Sequence, residues 1–179
     1  NLIRRAKKEG VIIKKTTDKK AVDTFCEIHK ETVKRHKFVP YKDEYFYEQV
    51  NAFKDDDNVL VFNAEYKEKI ISSAIMMFYG NEASYHHGAS KNEYSKIPSS
   101  YLLQWSAILE AKNRGCKTYN FWGIYSGNNR KHPFWGITLF KKGFGGYNFN
   151  LIHCKDLIIS KKYYLTYIFE FFRKFKKGF

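Results

Sequence analysis

Apolar positions along this chain alternate between helical and strand-like spacing, and the changes of period mark out its elements. Residues 1–10 read as the closing turns of a helix, basic near its end and capped by Gly10, and 11–15 as a short strand. Val22, Phe25, Cys26, Ile28, His29 and Val33 recur every three or four residues and predict a helix over 20–36, with Thr17 or Asp18 as N-cap and Pro40 beyond its end. Tyr45, Phe46, Gln49, Val50 and Phe53 predict a second over 43–53. Strands are then expected at 59–66, 70–79 and 82–89, the last two joined by a Gly80-Asn81 hairpin turn. Leu102, Leu103, Ala107, Ile108 and Ala111 define a helix running from Ser99 or Ser100 to Arg114, capped by Gly115. Residues 117–124 read as a strand, and 149–159 as the last strand. Residues 161–177 read as a basic amphipathic helix, with Tyr164, Ile168, Phe171 and Phe175 on one face, widened by Leu165, Phe169 and Phe172.

Between the last two strands lies the stretch that stands apart, residues 122–146. An aromatic–glycine turn leads through a polar loop into Phe140-Lys141-Lys142-Gly143-Phe144-Gly145-Gly146. Aromatics build a dry wall, glycines let a ligand approach the backbone, and a cation against such a wall acts strongly on developing negative charge.

Composition narrows the partners. With 179 residues, 44% of them hydrophobic, the chain can bury one real core. A net charge of +14 favours an anionic partner without choosing among nucleic acid, an acidic membrane face and a phosphorylated substrate. Cys26, Cys116 and Cys154 form no metal-binding spacing or disulfide framework, which fits a reduced, cytoplasmic setting. The adjacent carboxylates of Asp55, Asp56 and Asp57 point different ways on a tight turn, so no metal site is expected there. No apolar run approaches the roughly 20 residues needed to span a bilayer, and no signal peptide is seen. The chain opens at Asn1 inside a charged helix end, which reads as a fragment with its N-terminal part upstream.

The element order resembles a GNAT-type acyltransferase domain: an α/β (α+β) fold whose mixed, mostly antiparallel sheet is flanked by helices, followed here by the C-terminal amphipathic helix. Ordinary GNAT domains seat coenzyme A on a glycine-rich turn at a helix N-terminus. The corresponding stretch here, SKNEYSKIPSS, has no glycine, and Pro98 removes a donor, so no cofactor is expected.

An ordered set of motifs narrows the resemblance. These are RRAKKEGV at 4–11, TVKRHKF at 32–38, YHHGAS at 85–90, YLLQW at 101–105, AKNRG at 111–115, YNFWGI at 119–124 and GITLFKKGFGG at 136–146. In this order they resemble the second domain of the Fem family (FemABX), the aminoacyltransferases that form peptidoglycan bridges. The resemblance implies two GNAT-like domains around a cleft. Residues 1–10 then close a preceding domain or linker helix, 11–159 form the GNAT-like domain, and 160–179 form a C-terminal helix packing on the first domain. The implied donor is an aminoacyl-tRNA. The implied acceptor is the side-chain amine of a muropeptide precursor, either UDP-MurNAc-pentapeptide or its lipid-linked form. A CoA-type N-acyltransferase and a non-catalytic basic domain binding tRNA or membrane are the alternatives. The last helix also allows peripheral contact with the inner membrane face, although so wide an apolar face suits protein packing better.

The residues offer no Ser/His/Asp or Cys/His arrangement, so a covalent acyl-enzyme is not favoured. By the family motif, Lys141 supplies charge to the oxyanion or the tRNA leaving end, and Phe140 walls the acceptor peptide. Lys142 is the alternative inward lysine, because neighbours on an extended segment face opposite ways. Arg35 on a precursor phosphate, Tyr85 hydrogen-bonding substrate, and Trp122 complete the substrate-binding set. Gln104 and Trp105 are expected to pack, and none of His86, His87 and His132 is assigned as general base. Lys7, Lys8, Lys112, Arg114, Arg130, Lys131 and Lys142 form a candidate basic track for tRNA.

Overall fold

A computed structural model describes residues 1–36, 39–152 and 154–177. Lys37 and Phe38 of the 32–38 motif, and the side chain of Phe175, lie outside the described residues. Contacts divide the chain into two compact units, Asn1–Phe144 and Gly145–Phe179.

The first unit is built on a five-stranded sheet in sequential order, β1 (Ile12–Thr16), β2 (Val59–Tyr66), β3 (Lys69–Tyr79), β4 (Glu82–Ser90) and β5 (Thr118–Asn120). The first four pair antiparallel, and β5 lies parallel to β4. Helices α1 (Leu2–Lys8), α2 (Lys19–His36), α3 (Asp43–Phe53), α4 (Ser99–Asn113) and α5 (Trp135–Lys142) complete it. This is the mixed, mostly antiparallel α/β fold expected from the sequence.

β3 is buried on both faces, which is why it reads as a near-continuous apolar run. On one face Phe62, Ala74, Met76 and Phe78 meet Ala6 of α1 and Leu102, Leu103, Ala107 and Ala111 of α4. On the other, Val59, Val61 and Ile75 meet Phe25 and Ile28 of α2 and Phe46 and Val50 of α3. Each fully buried Phe or Ile stabilises the fold by roughly 1.5–3 kcal/mol.

Two irregularities shape one edge of this sheet. The register of β4 shifts against β3, with Tyr85 opposite Met76 and His87 opposite Ile75, so that His86 is the extra residue of a bulge. Strand neighbours normally point to opposite faces. Here the bulge brings the His86 and His87 rings to within 4.3 Å. In addition, β5 pairs with β4 only from Glu82↔Thr118 to Ser84↔Asn120. Beyond Ser84, β4 runs on to Ser90 without that partner, and the chain leaving Asn120 turns away.

The structure corrects three expectations. The strand over 117–124 shortens to Thr118–Asn120, because the Phe121-Trp122-Gly123 turn follows at once. The segment carrying both lysines is helical, not extended. Residues 149–159 form no strand among those described; their apolar residues suit a strand, but the backbone has no ladder partner there. The second unit contains α6 (Tyr163–Lys177), which leaves Tyr164, Leu165, Ile168, Phe169, Phe171 and Phe172 exposed. No helix among the described residues is long and apolar enough to cross a membrane.

Candidate active site

The turn after β5 is fixed from two sides. Asn120 donates Nδ2 to Glu82 Oε1 at 3.0 Å and accepts the Trp122 N–H on Oδ1 at 2.8 Å. This is an Asx-type turn, in which an amide both anchors itself and takes up a backbone donor two residues on. Trp122 adopts φ 61°, a left-handed conformation that L residues rarely take. From the other side, α5 reaches the same loop twice. Thr138, 2% exposed, accepts the Tyr125 N–H on Oγ1 at 2.9 Å. Lys141, one helical turn later, donates Nζ to the Gly123 carbonyl at 2.8 Å.

Helical spacing decides between the two lysines. Thr138 and Lys141 are three apart and share the loop-facing side, whereas Lys142 is turned about 100° away and is exposed. Lys141 is half-buried, and burial holds its ammonium below the usual lysine range. Among the described residues it has no carboxylate partner, and its one hydrogen bond goes to a neutral carbonyl. The result is a desolvated cation with donors to spare, the arrangement that stabilises a transient oxyanion.

An aromatic cluster lies beside it. Phe140 meets Tyr101 at 4.8 Å and Phe144 at 5.5 Å between ring centres. Phe144 also stacks on Phe121 at 5.3 Å, and Phe121 packs on Tyr119 at 4.8 Å. Buried Gln104 accepts the Tyr119 hydroxyl proton at 2.6 Å, tying α4 to β5; exposed Trp105 takes no part. Tyr85 is half-buried on β4 with its hydroxyl over Gly88, where an added Cβ would fall 1.7 Å from the phenolic oxygen. Burial pushes that phenol up to about 12. The next residue, His86, reaches the turn, with its ring 5.4 Å from that of Trp122.

The structure thus gathers Trp122, Phe140 and Lys141 around one turn, with Tyr85 on the adjoining strand. Arg35 sits elsewhere, at the end of β4, donating to the Ser90 carbonyl at 3.0 Å and to Ser90 Oγ at 3.2 Å. Arg114 leaves the basic track. Its guanidinium pairs with Glu110 and Asp57, each at 2.8 Å, and lies over the Phe78 ring. Sequence reasoning missed Glu82, Asn120, Thr138 and His86. The Asn120-to-Trp122 spacing and the Thr138-to-Lys141 spacing were legible signals; the bulge that turns His86 toward the site was not.

No coenzyme A cradle accompanies this arrangement. Pro98 occupies the N-cap of α4, Ser99 is buried with its hydroxyl on Ser72 at 3.0 Å, and Arg5 of α1 bonds the Lys96 carbonyl at 2.7 Å. At the start of α4 the Ser99 N–H already bonds the Ile97 carbonyl and the Tyr101 N–H the Pro98 carbonyl, so the donors that a pyrophosphate needs at a helix N-terminus are not set out there. Among the described residues no group of three or more His, Cys, Asp or Glu side chains is placed to hold a metal.

Sheet, bulge and diverging fourth and fifth strands define the class: a GNAT-type acyltransferase fold. Solved structures share it. A structure described as FemX superposes with a TM-score of 0.73 at 19% identity, over 82% of this chain and 52% of that one. A possible acetyltransferase from Clostridium difficile 630 gives 0.61 at 11% identity, over 84% and 99%. Within that class, the FemAB family model matches residues 1–70 and 58–170, and the chain belongs to the FemAB family. Curated relatives include the lipid II:glycine glycyltransferase of Staphylococcus aureus, 25% identical over 150 residues, and that of strain USA300 at 24%. Each match spans 77% of this chain but only 36% of the relative's length.

Proposed function

We propose that this chain carries the acyl-transfer site of a non-ribosomal aminoacyltransferase. It moves an amino acid from aminoacyl-tRNA to the side-chain amine of a peptidoglycan precursor stem peptide, contributing to interpeptide bridges of the cell wall. The relatives' glycyltransferase activity supports the reaction class. One observation carries the reading: a half-buried ammonium, Lys141, held against an aromatic–glycine turn with no carboxylate partner among the described residues.

The chemistry asks little more of the protein. Attack of an amine on an aminoacyl ester forms a C–N bond and a tetrahedral oxyanion. Collapse breaks the C–O bond to the ribose, the amine nitrogen releases a proton, and the ribose oxygen takes one up. The ester is already activated, so orientation and charge stabilisation suffice. Lys141 faces the oxyanion or the leaving ribose oxygen, and Phe140 walls the acceptor. Tyr85 offers a hydroxyl from the adjoining strand. Arg35 takes a precursor phosphate at the far end of β4. Residues 1–10 enter from a preceding GNAT-like domain that shares the acceptor site, and the exposed face of α6 docks on it. The protein acts in the cytoplasm, reaching lipid-linked precursor at the inner membrane face.

Transfer of a labelled amino acid from charged tRNA to UDP-muramyl pentapeptide tests the reading in the intact protein. Lys141→Ala is expected to slow transfer by about 100-fold or more while the protein stays folded, and Lys142→Ala to leave it close to wild type. A near-normal rate in folded Lys141→Ala removes the assigned role.

A further inference from the structure

Trp122 is shaped in a way that neither packing nor turn formation explains. The residue is 52% exposed, and its backbone is held at φ 61°. Glycine would adopt that conformation without strain, and a glycine follows directly. The surroundings nevertheless maintain tryptophan there. Asn120 takes its N–H, Lys141 takes the next carbonyl, and the His86 imidazole, itself against His87, lies beside the indole. Strained residues persist where the neighbourhood over-determines them, and such sites cluster at ligand clamps. What results is a flat ring braced by its neighbours and still half open to solvent.

Charge selects the kind of ligand. Lys141 stands on the adjacent residue, and exposed Lys142, Arg130 and Lys131 lie on the segment that follows. A cationic ligand is repelled here. An anionic one with a planar face is attracted, and a single-stranded nucleotide has both: bases stack on exposed aromatics, and phosphates meet lysine and arginine.

We propose that Trp122 is the stacking platform for the terminal nucleobase of the RNA donor. The inference rests on the function proposed above and assigns this residue its ligand. In a charged RNA the ester sits on the ribose of the terminal adenosine. A base stacked on Trp122 therefore sets the ester carbonyl beside the ammonium held one residue away at Gly123.

The test uses the intact protein and an uncharged RNA hairpin with a single-stranded 3′ tail, ending either in adenosine or in an abasic nucleotide. Fluorescence anisotropy gives Kd. Wild type is expected to lose about 5- to 100-fold in affinity when the base is removed. Trp122→Ala discriminates little between the two RNAs, and Trp122→Phe keeps most of the difference. Trp122→Gly relieves the backbone and is expected to melt at or above wild type while losing discrimination, which separates folding from binding. Equal binding of both RNAs by wild type, or wild-type discrimination in Trp122→Ala, overturns the proposal. Transfer from charged tRNA is measured alongside. Base-dependent binding through Trp122 without any transfer sinks the proposed reaction and leaves the platform standing. Transfer with a Trp122→Ala protein that still discriminates does the reverse.

Discussion

His87 is where a single side chain sets a measurable property of the whole protein. Its ring lies among Phe46 at 5.0 Å, Tyr45 at 5.8 Å, Tyr41 at 6.1 Å and Phe25 at 6.3 Å, and its Nε2 is buried without a hydrogen-bond partner among the described residues. Burial, reinforced by neighbouring His86 and His29, lowers its pKa to about 3. The folded protein therefore keeps His87 neutral while the unfolded chain takes up a proton near pH 6.5. Stability is complete above that value and falls as the pH drops from about 6.5 toward 3, by about 1.4 kcal/mol for each pH unit once the unfolded histidine is charged. Urea unfolding at pH 7 and pH 4.5 should show the loss in wild type, and His87→Phe should lose markedly less. Equal losses in both proteins exclude His87 as the source. His86 and His29 are depressed in the same direction, so some of the loss remains in the variant.

At the scale of elements, the sequence was legible wherever one period ran uninterrupted. Helix α3 and strand β2 match their expected bounds, and α2, β3, β4 and α4 match to within a residue or so, because burial enforces their spacing. Where contacts rather than period decide the structure, the reading failed. Glycine and aromatic residues around 140–146 looked extended, yet Thr138 and Lys141 both bond the 123–125 loop, and only a helical turn lets them do so. The same geometry turned an open choice between two lysines into a single inward one. Residues 149–159 carry a strand-like pattern but find no pairing among the described residues. In the site itself, Trp122, Phe140 and Lys141 were legible as a motif, whereas Asn120, which touches no expected ligand and acts only on the turn, was signalled by nothing but its spacing from Trp122. Asn120→Ala removes both the bond to Glu82 and the seat of the Trp122 N–H. It should cost stability only about 1–2 kcal/mol. It should cut transfer by at least about 10-fold, since small misplacements of a catalytic turn are felt strongly. Paired melting and rate measurements decide this, and an unchanged rate means that the turn holds itself.

The whole molecule joins a well-packed first unit to a second whose surface is unlike it. Leu151, Ile152, Leu157 and Ile159 are each more than three-quarters exposed, and α6 adds Leu165, Phe169 and Phe172 at 65–70%. So many large exposed apolar side chains within one unit mark an interaction surface more often than a bare one. Under the function proposed above, this face docks on a preceding domain. Replacing Leu165, Phe169 and Phe172 together by Ser should then lower the melting temperature of the intact protein and leave its binding to anionic vesicles unchanged. Lost vesicle binding with an unchanged melting temperature assigns the face to lipid instead. The net charge of +14 bears on association rather than fold, and any RNA affinity it supports weakens as salt rises.

The brevity of β5 has a consequence of its own. Three backbone rungs anchor the strand that launches the Trp122 turn. Long-lever precision in that region is therefore delegated to side chains, Tyr119 reaching to Gln104 and Asn120 to Glu82. Evolution can retune such a mount without touching the reacting groups. An exchange at Gln104 or Glu82 alters how the turn is held while leaving Trp122 and Lys141 themselves unchanged.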